Sequence, residues 1–146
     1  MEASYRFETA AAGNFTTKLS WSHQLEYDFT AIASDKLELA GTAGYPQDRG
    51  QLLLGWDKGD FNASFITNYI SDSSDGTKAK SLPSWTTFDV QASVALPWNA
   101  KVTLGVRNLG NKMPPFNASL QSFPYYDNSL YNIWGRTPYM RYEQNF

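Results

Sequence analysis

The side chains best suited to gripping a ligand lie late in the chain: Tyr125, Tyr126, Asp127, Tyr131, Trp134 and Arg136, with Phe116 and Phe123 ahead of them. Aromatic rings at this density can stack on the flat face of a sugar, a catechol or a corrin. Asp127 and Arg136 offer a ligand one polar contact of each sign, or form a loop salt bridge, which at a surface contributes little. The same aromatic residues also serve to pack a long loop into shape, and that is the simpler use. Ser71 to Gly76 reads Ser-Asp-Ser-Ser-Asp-Gly, an oxygen-rich turn without the spacing or closing Glu of a calcium loop, so a solvated loop is expected there. His23 is the single histidine, and on its own register it has only Trp21 and Leu25 as neighbours, so no polar partner is expected beside it. The absence of cysteine removes disulfides, thiolate zinc sites and thiol nucleophiles together. No glycine-rich phosphate loop or paired metal ligands occur, and no enzyme, cofactor or metal site is expected. A formal charge of −2 provides no basic surface for nucleic acid.

The elements that must position these residues have a period of two. From Phe15 to Phe29 the odd positions read Phe, Thr, Leu, Trp, His, Leu, Tyr, Phe, with polar residues between them. The alternation recurs in Ala3–Phe7, Leu52–Trp56, Phe61–Tyr69, Phe88–Leu96, Val102–Val106 and, less cleanly, Pro138–Phe146. This predicts about seven strands in one domain over residues 1–146. Several run toward the roughly ten residues that a tilted strand needs to cross a bilayer, beyond the five or six usual in soluble sheets.

Charge placement and connection length extend the argument. Across about thirty apolar-register positions no Asp, Glu, Lys or Arg occurs, while the opposite register holds Arg6, Glu8, Lys18, Glu26, Asp28, Asp57, Asp89, Lys101, Arg107, Arg141 and Glu143. A soluble sandwich would also segregate its faces in this way. The connections separate the two cases. Thr9–Gly13, Asp57–Asp60 and Pro97–Ala100 read as tight turns, and they alternate with long links over Thr30–Gly50, Ser71–Pro83 and Leu109–Gly135. Strict alternation of short and long connections is the habit of an outer-membrane barrel. On this reading Trp56, Trp85 and Trp98, near strand ends, suit a bilayer interface, with core packing as the alternative. A mean hydropathy of −0.47 fits a membrane barrel as well as a soluble chain, because the inward positions of a barrel are polar.

From Leu82 onward the chain reads Leu82-Pro83-Ser84-Trp85-Thr86-Thr87-Phe88-Asp89, then Gly105-Val106-Arg107-Asn108-Leu109-Gly110-Asn111-Lys112-Met113-Pro114-Pro115, then Tyr126-Asp127, Gly135-Arg136 and the closing Phe146. In these segments it resembles the C-terminal part of a TonB-dependent outer-membrane receptor. Gly110 and Asn111 stand where the family commonly has Phe and Asp. The resemblance implies an all-β, antiparallel up-and-down meander forming a C-terminal segment of a 22-stranded transmembrane barrel. It implies active uptake of a siderophore, cobalamin, saccharide or similar nutrient, with energy reaching the receptor through a plug and TonB box absent from this chain. It further implies a bacterial outer-membrane location, contact with outer-membrane lipid, and a Met140, Tyr142, Phe146 signal read by the barrel-assembly machinery. Gln144 departs from that signal by standing where an apolar residue is expected.

Seven strands cannot close such a barrel, so the chain by itself is not expected to transport, and its open edges favour self-association. Two other architectures remain: a soluble β-sandwich binding carbohydrate through its aromatic loops, and an eight-stranded barrel with an added strand near Lys36–Thr42.

Overall fold

The computed structural model describes residues 1–30, 36–74, 81–120 and 123–145. It is all-β. The strands are β1 (Glu2–Thr9), β2 (Gly13–His23), β3 (Asp28–Phe29), β4 (Leu37–Glu38), β5 (Asp48–Lys58), β6 (Phe61–Ile70), β7 (Ser73–Ser74), β8 (Ser81–Leu82), β9 (Trp85–Leu96), β10 (Ala100–Arg107) and β11 (Thr137–Gln144). Seven of them form one antiparallel meander in the order β1-β2-β5-β6-β9-β10-β11, while β3-β4 and β7-β8 are separate two-stranded sheets. The anticipated alternation of short and long connections is present: β1-β2, β5-β6 and β9-β10 are joined tightly, and the links between them are long. Asn99 at φ 57° and Gly59 at φ 56° supply the left-handed residues that two of the tight turns need.

Register turns the alternating sequence into two unlike faces. Phe7 pairs with Phe15, Phe15 with Trp56, Trp56 with Ala63, Ala63 with Ala92, Ala92 with Leu104 and Leu104 with Met140, one apolar row across all seven strands. Two residues along β5 a second row reads Leu54, Phe65, Val90, Val106 and Pro138. The residues between these rows point to the opposite face, which is mainly polar and carries Arg6, Lys18, Gln51, Asp57, Asn68, Asp89, Gln91, Arg107, Arg141 and Glu143. One slip of register would exchange the faces, so the pattern specifies the pairing strongly.

Three expectations are corrected. The segment Phe15–Phe29 is not one strand: β2 ends at His23, Gln24 N still donates to Gln47 O at 2.8 Å, and Tyr45 N, the next donor on that side of the chain, turns instead to Thr42 O at 2.9 Å. Lys36–Thr42 adds no strand to the main sheet, because among the described residues β4 pairs with β3 alone. β5 is longer than the apolar run Leu52–Trp56 and brings Asp48 and Lys58 onto the apolar-face register, one at each end. The second sheet that a sandwich requires over the apolar face does not occur among the described residues.

The sheet is a single layer. Its one cluster of buried apolar side chains among the described residues is Ile70, Trp85 and Tyr131, with Tyr126 and Leu130 packed against it. Ile70 and Trp85 are cross-strand partners on the polar-face register at the long-loop end, and the connection from β10 to β11 lays Tyr131 on them. Among the described residues nothing pairs with the outer edge of either end strand. Asn145 N donates to Asn99 O, so by alternation the missing N–H of Pro138 falls on the open side of β11, where it costs no ladder bond.

Candidate functional site

The loop joining β10 to β11 is tied at its neck by asparagine. Asn108, at φ 49°, donates from Nδ2 to Lys112 O at 2.8 Å and accepts Lys112 N at 2.9 Å, closing a tight turn. Asn111, at φ 53°, accepts Arg136 N at 2.9 Å, and Arg136 Nε donates to Leu109 O at 2.8 Å. Asn and Asp adopt the left-handed region more readily than other side chains, which is why these positions shape the turn.

Under this loop, on the polar face, lies a cavity of about 440 Å³. Its sheet wall is Asn68, Trp85, Thr87, Asp89 and Arg107, and its loop wall includes Asn108, Leu130, Asn132 and Trp134. Asp89 is fixed by accepting Asn108 N at 2.8 Å on one oxygen and Asn68 Nδ2 at 3.1 Å on the other. Arg107 sits with its Cζ 5.3 Å from the centroid of the Tyr139 ring. Tyr139 lies across Gly105 and donates its hydroxyl to Gln91 Oε1 at 2.8 Å, so the ring that carries the guanidinium is itself held.

The anticipated ligand residues divide. Tyr131, 6% exposed, packs edge-on against Trp85 with centroids 5.5 Å apart, and Tyr126 joins that cluster. Burial raises the phenol pKa of Tyr131, the nearby Asp127 carboxylate raises it further, and Arg49 opposes both. Asp127 caps its own turn, accepting Ser129 N at 2.8 Å and Ser129 Oγ at 2.6 Å. An Asp127–Arg136 salt bridge does not form, because each side chain is already engaged by the local backbone or by Ser129. Tyr125, at φ 59°, turns toward Phe116 with centroids 5.6 Å apart. Trp134 alone of the six lines the cavity, with 80% of its surface exposed. Asp89, Arg107 and Asn132 also line it, although they were not among the anticipated ligand residues. Their legible signal was position: the first two are charged residues on the polar register at the long-loop ends of β9 and β10.

The apolar face is bounded by two rims of polar-tipped aromatic side chains. At the tight-turn end Trp56 Nε1 donates to Ala12 O at 2.7 Å, and Lys58 Nζ donates to Ala11 O at 2.7 Å. Beside them Trp98 Nε1 donates to Tyr142 Oη at 3.3 Å, Tyr142 Oη to Gln144 Oε1 at 2.6 Å, and Gln144 Nε2 to Trp98 O at 2.8 Å. That ring of contacts explains Gln144 on an otherwise apolar register. At the long-loop end Trp21 stacks on Tyr69 at 5.6 Å and donates from Nε1 to Asp48 Oδ1 at 3.0 Å. His23 Nδ1 lies 2.6 Å from the same oxygen, so His23 does have a polar partner, its register mate from β5. Trp56 and Trp98 thus lie at the tight-turn margin of the apolar face, whereas Trp85 departs from the expectation: it is 8% exposed, faces the polar side and donates to Met113 O at 3.2 Å. Met140, 73% exposed, and Tyr142 lie on the apolar face, and Phe146 lies outside the described residues. Between the rims a shallow trough of about 760 Å³ runs across the strands among Phe15, Leu54, Trp56, Phe65, Leu104 and Val106.

Of the oxygen-rich Ser71–Gly76 segment, Asp75 and Gly76 lie outside the described residues. Ser71 is buried and its Oγ accepts Asp48 N at 3.1 Å. Glu26, Asp28 and Glu38 bring carboxylates within 4.8 Å of one another, and Lys36 bridges Glu26 and Asp28. The hydrogen bond from Lys36 holds the Asp28 carboxyl below its ordinary range, so this acidic group is partly compensated from within. No protein-family model, curated protein or solved structure matches the chain.

Proposed function

We propose that the chain is the C-terminal portion of the barrel of a TonB-dependent outer-membrane receptor, acting in uptake of a nutrient such as a siderophore, cobalamin or saccharide. The observation that carries this reading is the continuous apolar face bounded by aromatic rims. Along β5 the charged ends Asp48 and Lys58 are ten residues apart, about 33 Å at the usual strand rise. At the roughly 40° tilt of membrane barrels that becomes a band about 25 Å tall, the height of the hydrocarbon-facing belt of such proteins. Indole and phenol groups with polar tips at both margins suit the bilayer interface. Short links at one end and long links at the other fit periplasmic turns and extracellular loops.

The same reading gives the chain its partners. Both β1 and β11 run from the long-loop end to the tight-turn end, so they cannot pair antiparallel with each other. Closing an all-antiparallel barrel requires an odd number of further strands, and open edges do not persist in hydrocarbon. Transport therefore belongs to the completed barrel with its plug, through which the TonB complex would act. The chain alone self-associates or docks on the assembly machinery through its last strand. The loop cavity is the place for ligand contact, with no catalytic role. A soluble carbohydrate-binding sandwich would need a second layer over the apolar face.

The test is refolding with and without detergent, followed by light-scattering mass and circular dichroism. Strand signal that requires detergent, or appears only in aggregates, is the expected result. A compact, detergent-free monomer with the same strand content would overturn the membrane reading.

A further inference from the structure

Hydrogen-bond capacity around the loop cavity is unbalanced. Its strongest acceptors are in use: Asp89 takes Asn108 N and Asn68 Nδ2, and Asn132 Oδ1 takes Trp134 N at 2.9 Å. Donors are left over. The Arg107 guanidinium makes no hydrogen bond or salt bridge among the described residues, although Asp89 lies on the facing strand, because Asn68 and Asn108 already hold that carboxylate. Asn132 Nδ2 and Trp134 Nε1 likewise donate to nothing among the described residues. On the same sheet face Arg6 and Arg141 each have a carboxylate partner, Arg6 with Glu8 and Asp57 and Arg141 with Glu143. Arg107 differs in being braced from below by the Tyr139 ring at 5.3 Å and in opening onto a cavity of about 440 Å³.

A guanidinium offers five N–H groups in a rigid fork that matches the two oxygens of a carboxylate or phosphate. Three donors with free capacity, beside a carboxylate whose two oxygens each already accept a donor, favour a ligand that accepts hydrogen bonds, and the exposed Trp134 ring adds a flat apolar surface. We propose that this cavity binds an oxyanion carried on a flat organic frame, with the oxyanion on Arg107, further donation from Asn132 and Trp134, and the frame against the Trp134 ring. The inference concerns the cavity alone and holds whichever solvent covers the apolar face, so it and the membrane reading fail separately.

The experiment is calorimetric titration of the full refolded chain, in detergent where folding needs it, with benzoate, phenyl phosphate and benzyl alcohol. The aromatic frame is common to all three, and only the first two carry an oxyanion. Expected is binding of at least one oxyanion, with benzyl alcohol weaker by roughly tenfold or more. Arg107→Gln should lose roughly tenfold or more and Arg107→Lys less, while Arg141→Gln, whose guanidinium is already paired, leaves binding unchanged. Asn132→Ala, a change at an exposed loop residue that leaves the sheet intact, should weaken binding even where Arg107→Gln fails to fold. The tighter of benzoate and phenyl phosphate identifies the ligand as carboxylate or phosphate. Equal binding of benzyl alcohol, no binding of either oxyanion, full affinity in a folded Arg107→Gln, or, where that variant does not fold, full affinity in Asn132→Ala would overturn the proposal.

Discussion

Gly105 shows how one residue fixes a neighbourhood. The Tyr139 ring crosses it so closely that a Cβ added there would lie 2.5 Å from Tyr139 Cζ. The missing side chain lets Tyr139 reach Gln91 on β9 and hold up Arg107. Gly105→Ala should displace the ring, destabilising the sheet by about 1–3 kcal/mol as overpacking does and releasing the guanidinium. A denaturant midpoint unchanged from the parent chain would show that the ring has another place to go. Gly50 repeats the arrangement on the opposite face, where the Trp21 ring fills the space above it and stacks on Tyr69. Neither glycine announces its role in the sequence, because the ring that needs the space belongs to a strand distant along the chain.

Among the elements, the β10-β11 connection is attached to the sheet through a group that titrates in alkali. Tyr131 is buried as a neutral phenol against Ile70 and Trp85, and its pKa is raised by that burial and then by Asp127. A group that holds its proton more tightly folded than unfolded stabilises fully below the unfolded value, about 10 for tyrosine, and loses that contribution as pH rises past it. The loop should therefore loosen in alkali before the sheet does. Near-ultraviolet dichroism of Trp85 should fall above about pH 10, with far-ultraviolet strand signal retained, and Tyr131→Phe should remove the step. A step that persists in Tyr131→Phe would assign the loosening to another group. The strands themselves were largely legible, since the period of two in Phe61–Tyr69 and Phe88–Leu96 returns as β6 and β9. The end of β2 was not, because alternation continues through Leu25, Tyr27 and Phe29 while the pairing partner stops at Asp48.

For the molecule as a whole the deciding quantity is what the apolar face meets. Ala92 lies near the middle of that face between Ala63 and Leu104. If lipid covers the face, Ala92→Lys should cost about 2–4 kcal/mol in refolding from denaturant into bilayers, the penalty of a cation near the midplane of a barrel. If water covers it, the same change at an exposed surface position should stay within about 0.5 kcal/mol. One substitution thus separates the two environments without knowledge of any ligand.

The sequence by itself determined the strands, their two-faced character and the alternation of short and long links. Each of these is a local property: side chains alternate across a strand with period two, and turn residues carry their own backbone preferences. Tertiary structure alone decided that Trp85 is buried on the polar face while Trp56 and Trp98 lie at the tight-turn margin of the apolar face. It also decided that Asp127 and Arg136 are occupied locally, whereas Asp89, Arg107, Asn132 and Trp134 share one cavity. The reason is register and loop placement. Residues far apart in sequence meet only when antiparallel pairing brings strand ends together and a long loop folds back over them, and neither the offset nor the fold-back is written in any single stretch of chain.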